Sequence, residues 1–308
     1  MTDHAGLLGS LGSAVVGRTR ELELVIAALA ANRHVLLEGP PGTGKSTLLR
    51  AVSTGLGIGF EFVEGNAELT PARLVGHFDP ARVLNEGYGA DVFVDGPLVT
   101  ALREGSLLYV EEINRIPEET LNVLITVMSE GEITVPRLGR VQAAPGFRLV
   151  AAMNPFDAIG TARISGAVYD RVCRVAMSYQ PAADELAIVE RALGENPLTG
   201  AFKDMVVEVT RATRAHPDLR VGSSVRGAVD FAMVAQSLAS LRGRSVSDPG
   251  VSLDAALVAL SGRVRVREGG SRTAEEIITE IWESVFARTD GGSGGGKAPA
   301  PARGTSSH

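Results

Sequence analysis

Eight consecutive residues, Gly39-Pro40-Pro41-Gly42-Thr43-Gly44-Lys45-Ser46, fit the pattern G-x-x-x-x-G-K-[ST]. Glycines lack a Cβ, so successive backbone N–H groups can turn inward and cradle phosphate oxygens. A helix starting where the loop ends adds partial positive charge and unpaired donors. Lys45 is placed to reach β- and γ-phosphates, and the Ser46 hydroxyl to ligate Mg2+. The chain has only three lysines, Lys45, Lys203 and Lys297, so abundance does not explain one at this position. A Gly/Pro turn between two elements is the plain alternative, and it leaves the lysine unexplained. Gly39 to Ser46, with Thr47 after them, are read as the segment that holds ATP.

Two apolar runs end in polar groups that could complete such a site. Leu107-Leu108-Tyr109-Val110 ends in Glu111 and Glu112, and the run Phe147 to Met153 ends in Asn154-Pro155. In open α/β sheets, ligands sit beyond the carboxyl ends of the strands. ATP hydrolysis needs Mg2+ near the β/γ oxygens, a carboxylate to polarise the attacking water, and a donor that senses the γ-phosphate. Glu111 is assigned with Ser46 to the Mg2+ shell, Glu112 to water activation and Asn154 to the γ-phosphate. As a charge complement to the helix after Ile116, the acidic pair would explain one surface carboxylate. It would not explain two at the end of an apolar strand.

The elements that must position these groups are legible in the spacing. His34 to Glu38 is an apolar strand just before the Gly-rich loop, and Thr47 to Thr54 reads as a helix with Leu48, Leu49 and Val52 on one face. Leu22, Val25, Ile26 and Leu29 predict an earlier helix. Phe60 to Val63 and Val172 to Ala176 are further strands. A helix starts at Thr70-Pro71 and another at Pro97, with a Gly-rich segment carrying Phe78, Tyr88 and Phe93 between them. That segment reads equally as an insert splitting one helix or as an ordinary surface excursion. Leu121, Leu124, Ile125 and Met128 predict a helix after Pro117, and 131–146 a β-hairpin. Strands separated by helices argue for an α/β fold, a parallel sheet covered on both faces. After residue 180 the patterns turn helical, at about 183–193, 200–214, 224–242, 252–261 and 273–287.

The chain has 308 residues, of which 44% are hydrophobic, enough to bury one large core or two smaller ones. That hydrophobic fraction, with a mean hydropathy of +0.13, excludes a largely disordered chain. A net charge of −6 gives no overall attraction to nucleic acid or anionic lipid. The sole cysteine, Cys173, excludes a disulfide framework and is expected as a small buried residue. No apolar run approaches the ~18 residues of a membrane span, and a soluble cytoplasmic protein is expected. His34 is expected to be structural, and Arg263, Arg265 and Arg267 to form a solvated edge.

Taken together, GPPGTGKS, LLYVEEINR, AAMNP and the later SGAVYDRV resemble an AAA+ ATPase in order and spacing. FVDGPL and EEINRIPEETLNVLITVMSEGEITV are similar specifically to the MoxR family, and the resemblance covers roughly residues 14–242. It implies a P-loop AAA+ module with an α/β nucleotide-binding domain (15–180) and a smaller all-helical lid (181–288), while small, Gly-rich composition marks 1–14 as a flexible N-terminus and Gly/Ser/Ala/Pro-rich composition marks 289–308 as a disordered tail. It implies that the interrupted helix is a helix-2 insert and that 131–146 is the hairpin before sensor 1, both facing a central pore.

Carried over by position, Lys45 and Ser46 match the Walker A lysine and hydroxyl, Glu112 the Walker B glutamate and Asn154 sensor 1. Arg171 matches the arginine finger given to a neighbouring subunit, with Arg174 a nearby rival, and Arg226 matches sensor 2. A planar cation suits the negative charge spread over γ-oxygens in the transition state. Two departures stand out: Glu111 replaces the usual aspartate, one methylene longer, and Val172 the usual phenylalanine after the finger. The resemblance implies a ring, expected as a homohexamer. It also implies a role in remodelling or maturing a partner complex, with a von Willebrand factor A domain protein as companion. A nucleotide-gated scaffold with little turnover and a DNA-remodelling AAA+ protein are the other classes. The acidic balance argues against nucleic acid.

Overall fold

The computed structural model describes residues 8–9, 11–12, 14–155, 166–194, 198 and 200–291. Most of the expected flexible N-terminus, the expected tail from 292 onward and Ser165 of the SGAVYDRV stretch lie outside them. Within that N-terminal segment Leu11 is buried and Gly9 is exposed. The described residues form two compact units, divided between Asp184 and Glu185.

The first unit begins with α1 (Thr19–Ala30), β1 (His34–Glu38), α2 (Lys45–Leu56) and β2 (Phe60–Glu64). There follow α3 (Pro71–Val75), β3 (Gly76–Phe78), α4 (Pro80–Glu86), β4 (Phe93–Asp95), α5 (Pro97–Glu104) and β5 (Leu107–Glu111). The rest comprises α6 (Glu118–Glu130), β6 (Glu132–Val135), β7 (Gly139–Gln142), β8 (Arg148–Met153), α7 (Gly166–Tyr169) and β9 (Val172–Ala176). Five strands form one parallel sheet in the order β2-β5-β8-β1-β9.

Alternation along each strand decides which helices it meets. Val35, Leu37, Leu107, Tyr109, Val150 and Ala152 face a core shared with α1 and α2. Leu36, Leu108, Val110, Leu149 and Ala151 face the opposite core, with α5 and α6. Both faces are covered, so the central strands are apolar at nearly every position.

Between α3 and α5 the chain makes the expected excursion. Thr70 caps α3 by accepting from Arg73 N, and β3 and β4 then close the insert as an antiparallel ladder, Gly76↔Asp95 to Phe78↔Phe93. Inside it, the Phe78 ring meets Tyr88 and Phe93 edge-on, each with centroids 5.0 Å apart. The predicted hairpin is β6–β7, and the Arg137 guanidinium at its turn lies 3.9 Å from the Tyr88 ring centroid. A cation–π contact thus joins the two excursions.

The second unit contains most of α8 (Ala182–Leu193), then α9 (Gly200–Ala215), β10 (Leu219–Val221), α10 (Val225–Arg242), α11 (Pro249–Leu260), β11 (Arg265–Val266) and α12 (Ala274–Gly291). It is helical as expected, with one addition: β10 and β11 pair as a short antiparallel ladder. Three strand residues against two are too few for a periodic signal. Phe202, Phe231, Ala235, Ala255, Ile278 and Trp282 belong to its core, and the buried Trp282 indole donates to Ser252 Oγ at 2.8 Å. Glu185 is wholly buried and is held by Arg214 at 2.7 Å and Arg211 at 3.2 Å. The arginines expected at a solvated edge are partnered there: Arg263 with Asp230, Arg267 with the Pro217 carbonyl.

Cys173 corrects the expectation of burial, because it is exposed. It lies near the start of β9, an edge strand, and shares a face with the buried Val175. Cover on that face reaches Val175 but not Cys173.

His34 is structural, as expected. Its Nδ1 accepts from Leu149 N at 2.9 Å, across the β1–β8 pair. Burial, and then the nearby Arg148 and Arg33 charges, lower its pKa to about 4, against a weaker opposing bond with the Met128 backbone. From pH ~6.5 down to ~4 the unfolded chain binds a proton that the folded chain refuses. Stability therefore falls as pH drops through that window, by an amount on the order of 3 kcal/mol, and levels off below it. Urea midpoints at pH 7 and pH 5 should differ in the parent and converge in His34→Asn, whose side-chain oxygen can take over the Leu149 bond. An equal drop in both proteins rules out His34 as the source.

Candidate nucleotide site

The P-loop leaves β1 through a tight exit. Gly39 N donates to the Met153 carbonyl at 3.1 Å, extending the β1–β8 ladder by one residue. A Cβ on Gly39 would lie 2.2 Å from the Met177 carbonyl oxygen, so only glycine passes here. The loop closes on itself through Thr43 Oγ1, which donates to Pro40 O at 2.9 Å. Gly44, left-handed with φ 84°, then starts α2. Lys45 is buried, with Nζ donating to Gly39 O at 2.8 Å and Pro40 O at 2.9 Å. Its charge is therefore held inside the loop. Pro41, in the loop, and Thr47, in the first turn of α2, are exposed.

Ser46 is the junction with β5. Alternation points Leu107, Tyr109 and Glu111 to the α2 side of the sheet, and Ser46 sits in the first turn of α2. The Ser46 hydroxyl donates to the Glu111 carboxylate at 3.2 Å and lies 3.2 Å from Tyr109 Oη. The longer Glu111 thus still reaches the hydroxyl. Burial, helped by the neighbouring Glu111 charge, pushes the Tyr109 hydroxyl pKa up, and the contact with Ser46 opposes the shift.

Glu112 leaves the strand in a left-handed conformation, φ 52° and ψ 44°, which costs a non-glycine residue about 1–2 kcal/mol. Its carboxylate pairs with Arg115 at 3.1 Å. Gly65, just past β2, supports this bend: its N–H donates to Glu111 O at 2.7 Å, and a Cβ there would meet Glu112 O at 2.4 Å. Asn154 follows Met153, which is paired in register with Glu38, so it stands beside the start of the P-loop. The loop, Glu111, Glu112 and Asn154 thus gather at the carboxyl ends of β1, β5 and β8.

The arginines are elsewhere. Arg171 immediately precedes β9 and donates to Ser129 Oγ at 2.5 Å and Ala167 O at 2.8 Å. His34 pairs with Val172 and Glu38 with Ala176, so Arg171 is at the opposite end of the sheet from its own P-loop, about 17 Å of extended chain from the level of Glu38. Arg174 makes two bonds to Glu38, at 2.6 and 3.0 Å, within the same chain. Arg226 is exposed in the first turn of α10, in the second unit.

Sequence reasoning missed Arg18, Gly65 and the Tyr109 hydroxyl. Arg18 is buried at the N-cap of α1, where it donates to Thr43 O at 3.1 Å and Ser178 O at 2.6 Å and pairs with Glu21 at 2.8 Å. It ties the P-loop to the segment after β9. No local pattern reports a tether that spans 160 residues.

Arg18→Met keeps most of the apolar stem but leaves the buried Thr43 carbonyl, the Ser178 carbonyl and Glu21 without their donor. The expected cost is about 3–5 kcal/mol of unfolding free energy, read from urea melts. A loss below about 1 kcal/mol shows that the tether carries little.

Residues 34–172 match the family described as the AAA domain, dynein-related subfamily. The chain is 27% identical to the uncharacterized protein YeaC of Bacillus subtilis, over 88% of this chain and 90% of that protein. It is 34% identical to an uncharacterized protein of Staphylococcus epidermidis over 50% of this chain, spanning 58% of that relative. Among solved structures, it is similar to an ATPase candidate from Cytophaga hutchinsonii, with a TM-score of 0.50, 20% identity, and 91% and 93% of the two chains covered. It is also similar to the RuvB Holliday junction branch migration motor of Thermotoga maritima, with a TM-score of 0.52, 18% identity, and 82% and 68% covered. The parallel sheet with helices on both sides, the P-loop after β1 and these likenesses establish the AAA+ P-loop fold.

Proposed function

We propose that the chain is a MoxR-type AAA+ ATPase that binds and hydrolyses ATP with Mg2+ where subunits of a ring meet. The cycle reshapes or matures a partner protein complex. One observation carries the nucleotide reading: Lys45, Ser46, Glu111, Glu112 and Asn154 converge at the carboxyl ends of three adjacent strands, with the lysine head group held inside a glycine turn.

The residues fit the cation. A hydroxyl and a carboxylate lie 3.2 Å apart, and among the described residues no three His, Cys, Asp or Glu side chains group as a metal cage. A ligand-poor pair of oxygens suits Mg2+, which keeps waters and shares phosphate oxygens. When bound, it supplies neutralisation of charge on the β/γ oxygens.

The chain's own groups do the rest. Amides of residues 42–46 and Lys45 hold the phosphates, and Ser46 and Glu111 orient each other. Glu112 accepts the proton of the attacking water, and Asn154 donates to the γ-phosphate. Arg171 serves the neighbouring subunit's site, a role supported by its place at the far end of β9 from its own loop. Arg174 is the weaker candidate, since Glu38 already holds it in cis. Arg226 acts as sensor 2. The hexameric ring, the client complex and a von Willebrand factor A domain companion follow from the family resemblance. No described helix is long and apolar enough to cross a membrane, in keeping with a role in the cytoplasm.

Glu112→Gln should bind ATP as the parent does and release phosphate 10²–10⁴-fold more slowly, the range for a lost general base. Arg171→Ala should be inactive by itself. Mixing these two silent variants should recover phosphate release, because mixed interfaces combine an intact Glu112 with an intact Arg171. A silent mixture, or parental turnover by Arg171→Ala alone, overturns hydrolysis shared between subunits.

A further inference from the structure

Two arginines stand side by side at the amino end of the sheet. His34 pairs with Val172, so Arg33 and Arg171, the residues just before them, come level where neighbouring strands run about 4.8 Å apart. The place of Arg33 is fixed from α1. Asn32 takes a left-handed conformation, φ 60°, and its N–H donates to Leu29 O at 3.0 Å while that of Arg33 donates to Ala28 O at 2.9 Å. These two bonds are the Schellman closure of a helix, with asparagine in the usual place of glycine. The chain thus enters β1 with Arg33 in one position. Both arginines line a single cavity of about 420 Å³. Like charges side by side on adjacent strands repel. Among the described residues the Arg33 guanidinium has no hydrogen bond or ion pair, and Arg171 bonds only to uncharged acceptors, Ser129 Oγ and Ala167 O. Asp170 lines the same cavity without pairing with either. His34 lines it too and is neutral at pH 7, because burial and then the Arg148 and Arg33 charges lower its pKa. The balance is two cations against one carboxylate.

We propose that Arg33 and Arg171 form one clamp for the phosphate oxygens of the nucleotide held by a neighbouring copy of this chain, Arg33 being a second cation given across the interface. The inference rests on the shared-site reading given above and adds Arg33 to it. Phosphate suits the pair. A planar guanidinium binds its oxygens as a fork, and an anion with several charges relieves the repulsion between the two arginines. Donors remain for it: the whole Arg33 guanidinium, and Arg171 Nη2, since Nε and Nη1 are already bonded. The phosphate comes from another copy because the cavity lies at the opposite end of the sheet from this chain's own P-loop. Charge spread over several γ-oxygens in the transition state gives two level guanidiniums separate oxygens to meet.

The test is phosphate release from ATP by the full chain, alone and in equimolar mixtures of variants. Arg33→Ala removes an exposed side chain that has no bond within the described chain, so the fold should be kept, with an unchanged urea midpoint. Its phosphate release should fall about 10–100-fold, the range for one lost hydrogen bond to a charged group. Mixed with Glu112→Gln it should recover, because some interfaces then join an intact Glu112 to an intact arginine pair. Mixed with Arg171→Ala it should stay slow, because every subunit then lacks one arginine of the pair it gives. Recovery in that second mixture would place Arg33 in its own chain's site and overturn the proposal. Parental turnover by Arg33→Ala alone, or no recovery with Glu112→Gln, overturns it as well. If Arg171→Ala with Glu112→Gln stays silent, shared hydrolysis itself fails, a separate and visible result.

Discussion

The end of β1 is squeezed between its two neighbours, and the rest of the site depends on that squeeze. On one side Gly39 N bonds to the Met153 carbonyl of β8; on the other, Met177 N bonds to the Glu38 carbonyl at 2.7 Å, just past β9. Backbone comes so close that a Cβ at Gly39 has no room against Met177. The P-loop therefore starts from one position and one direction, and Lys45 and Ser46 inherit both. Arg18 adds a second hold farther along, at Thr43, from the Met177–Ser178 side. A cradle for phosphate must be set before the ligand arrives if its amides are to act without reorganising. Here that preorganisation comes from backbone packing.

Much of this was legible from residue types and alternation. The strand–loop–helix reading around Lys45 follows from local pattern alone, and so do the five strands of the sheet. Two-residue periodicity puts Tyr109 and Glu111 on one face, which is why an unusual glutamate still meets Ser46. What escaped has a common cause. Arg18, Gly65 and the Tyr109 hydroxyl act through partners far away in the chain: Ser178 for the first, Glu111 and Glu112 for the second, Ser46 for the third. Periodicity reports which face a residue occupies and is silent about what lies across from it. Cys173 escaped for a related reason, since small apolar residues are usually inside, but an edge strand's first turns need not be covered.

The placement of Arg171 and Arg174 on β9 links the two ends of the sheet. Arg174 is bonded to Glu38, the last residue before the P-loop. Arg171, three residues earlier, is bonded to Ser129 in the last turn of α6. The start of α6 lies just past Glu112, whose left-handed bend sets where the carboxylate and the helix both go. A displacement at the P-loop exit thus has a direct route along β9 to Arg171, and one at Glu112 has a route along α6 to the same guanidinium. The first route runs along one strand; the second crosses a 3-10 turn at Ile113–Arg115 and then Pro117 before it enters α6. The Arg171 guanidinium is thus linked both to the P-loop exit and to the Glu112 bend.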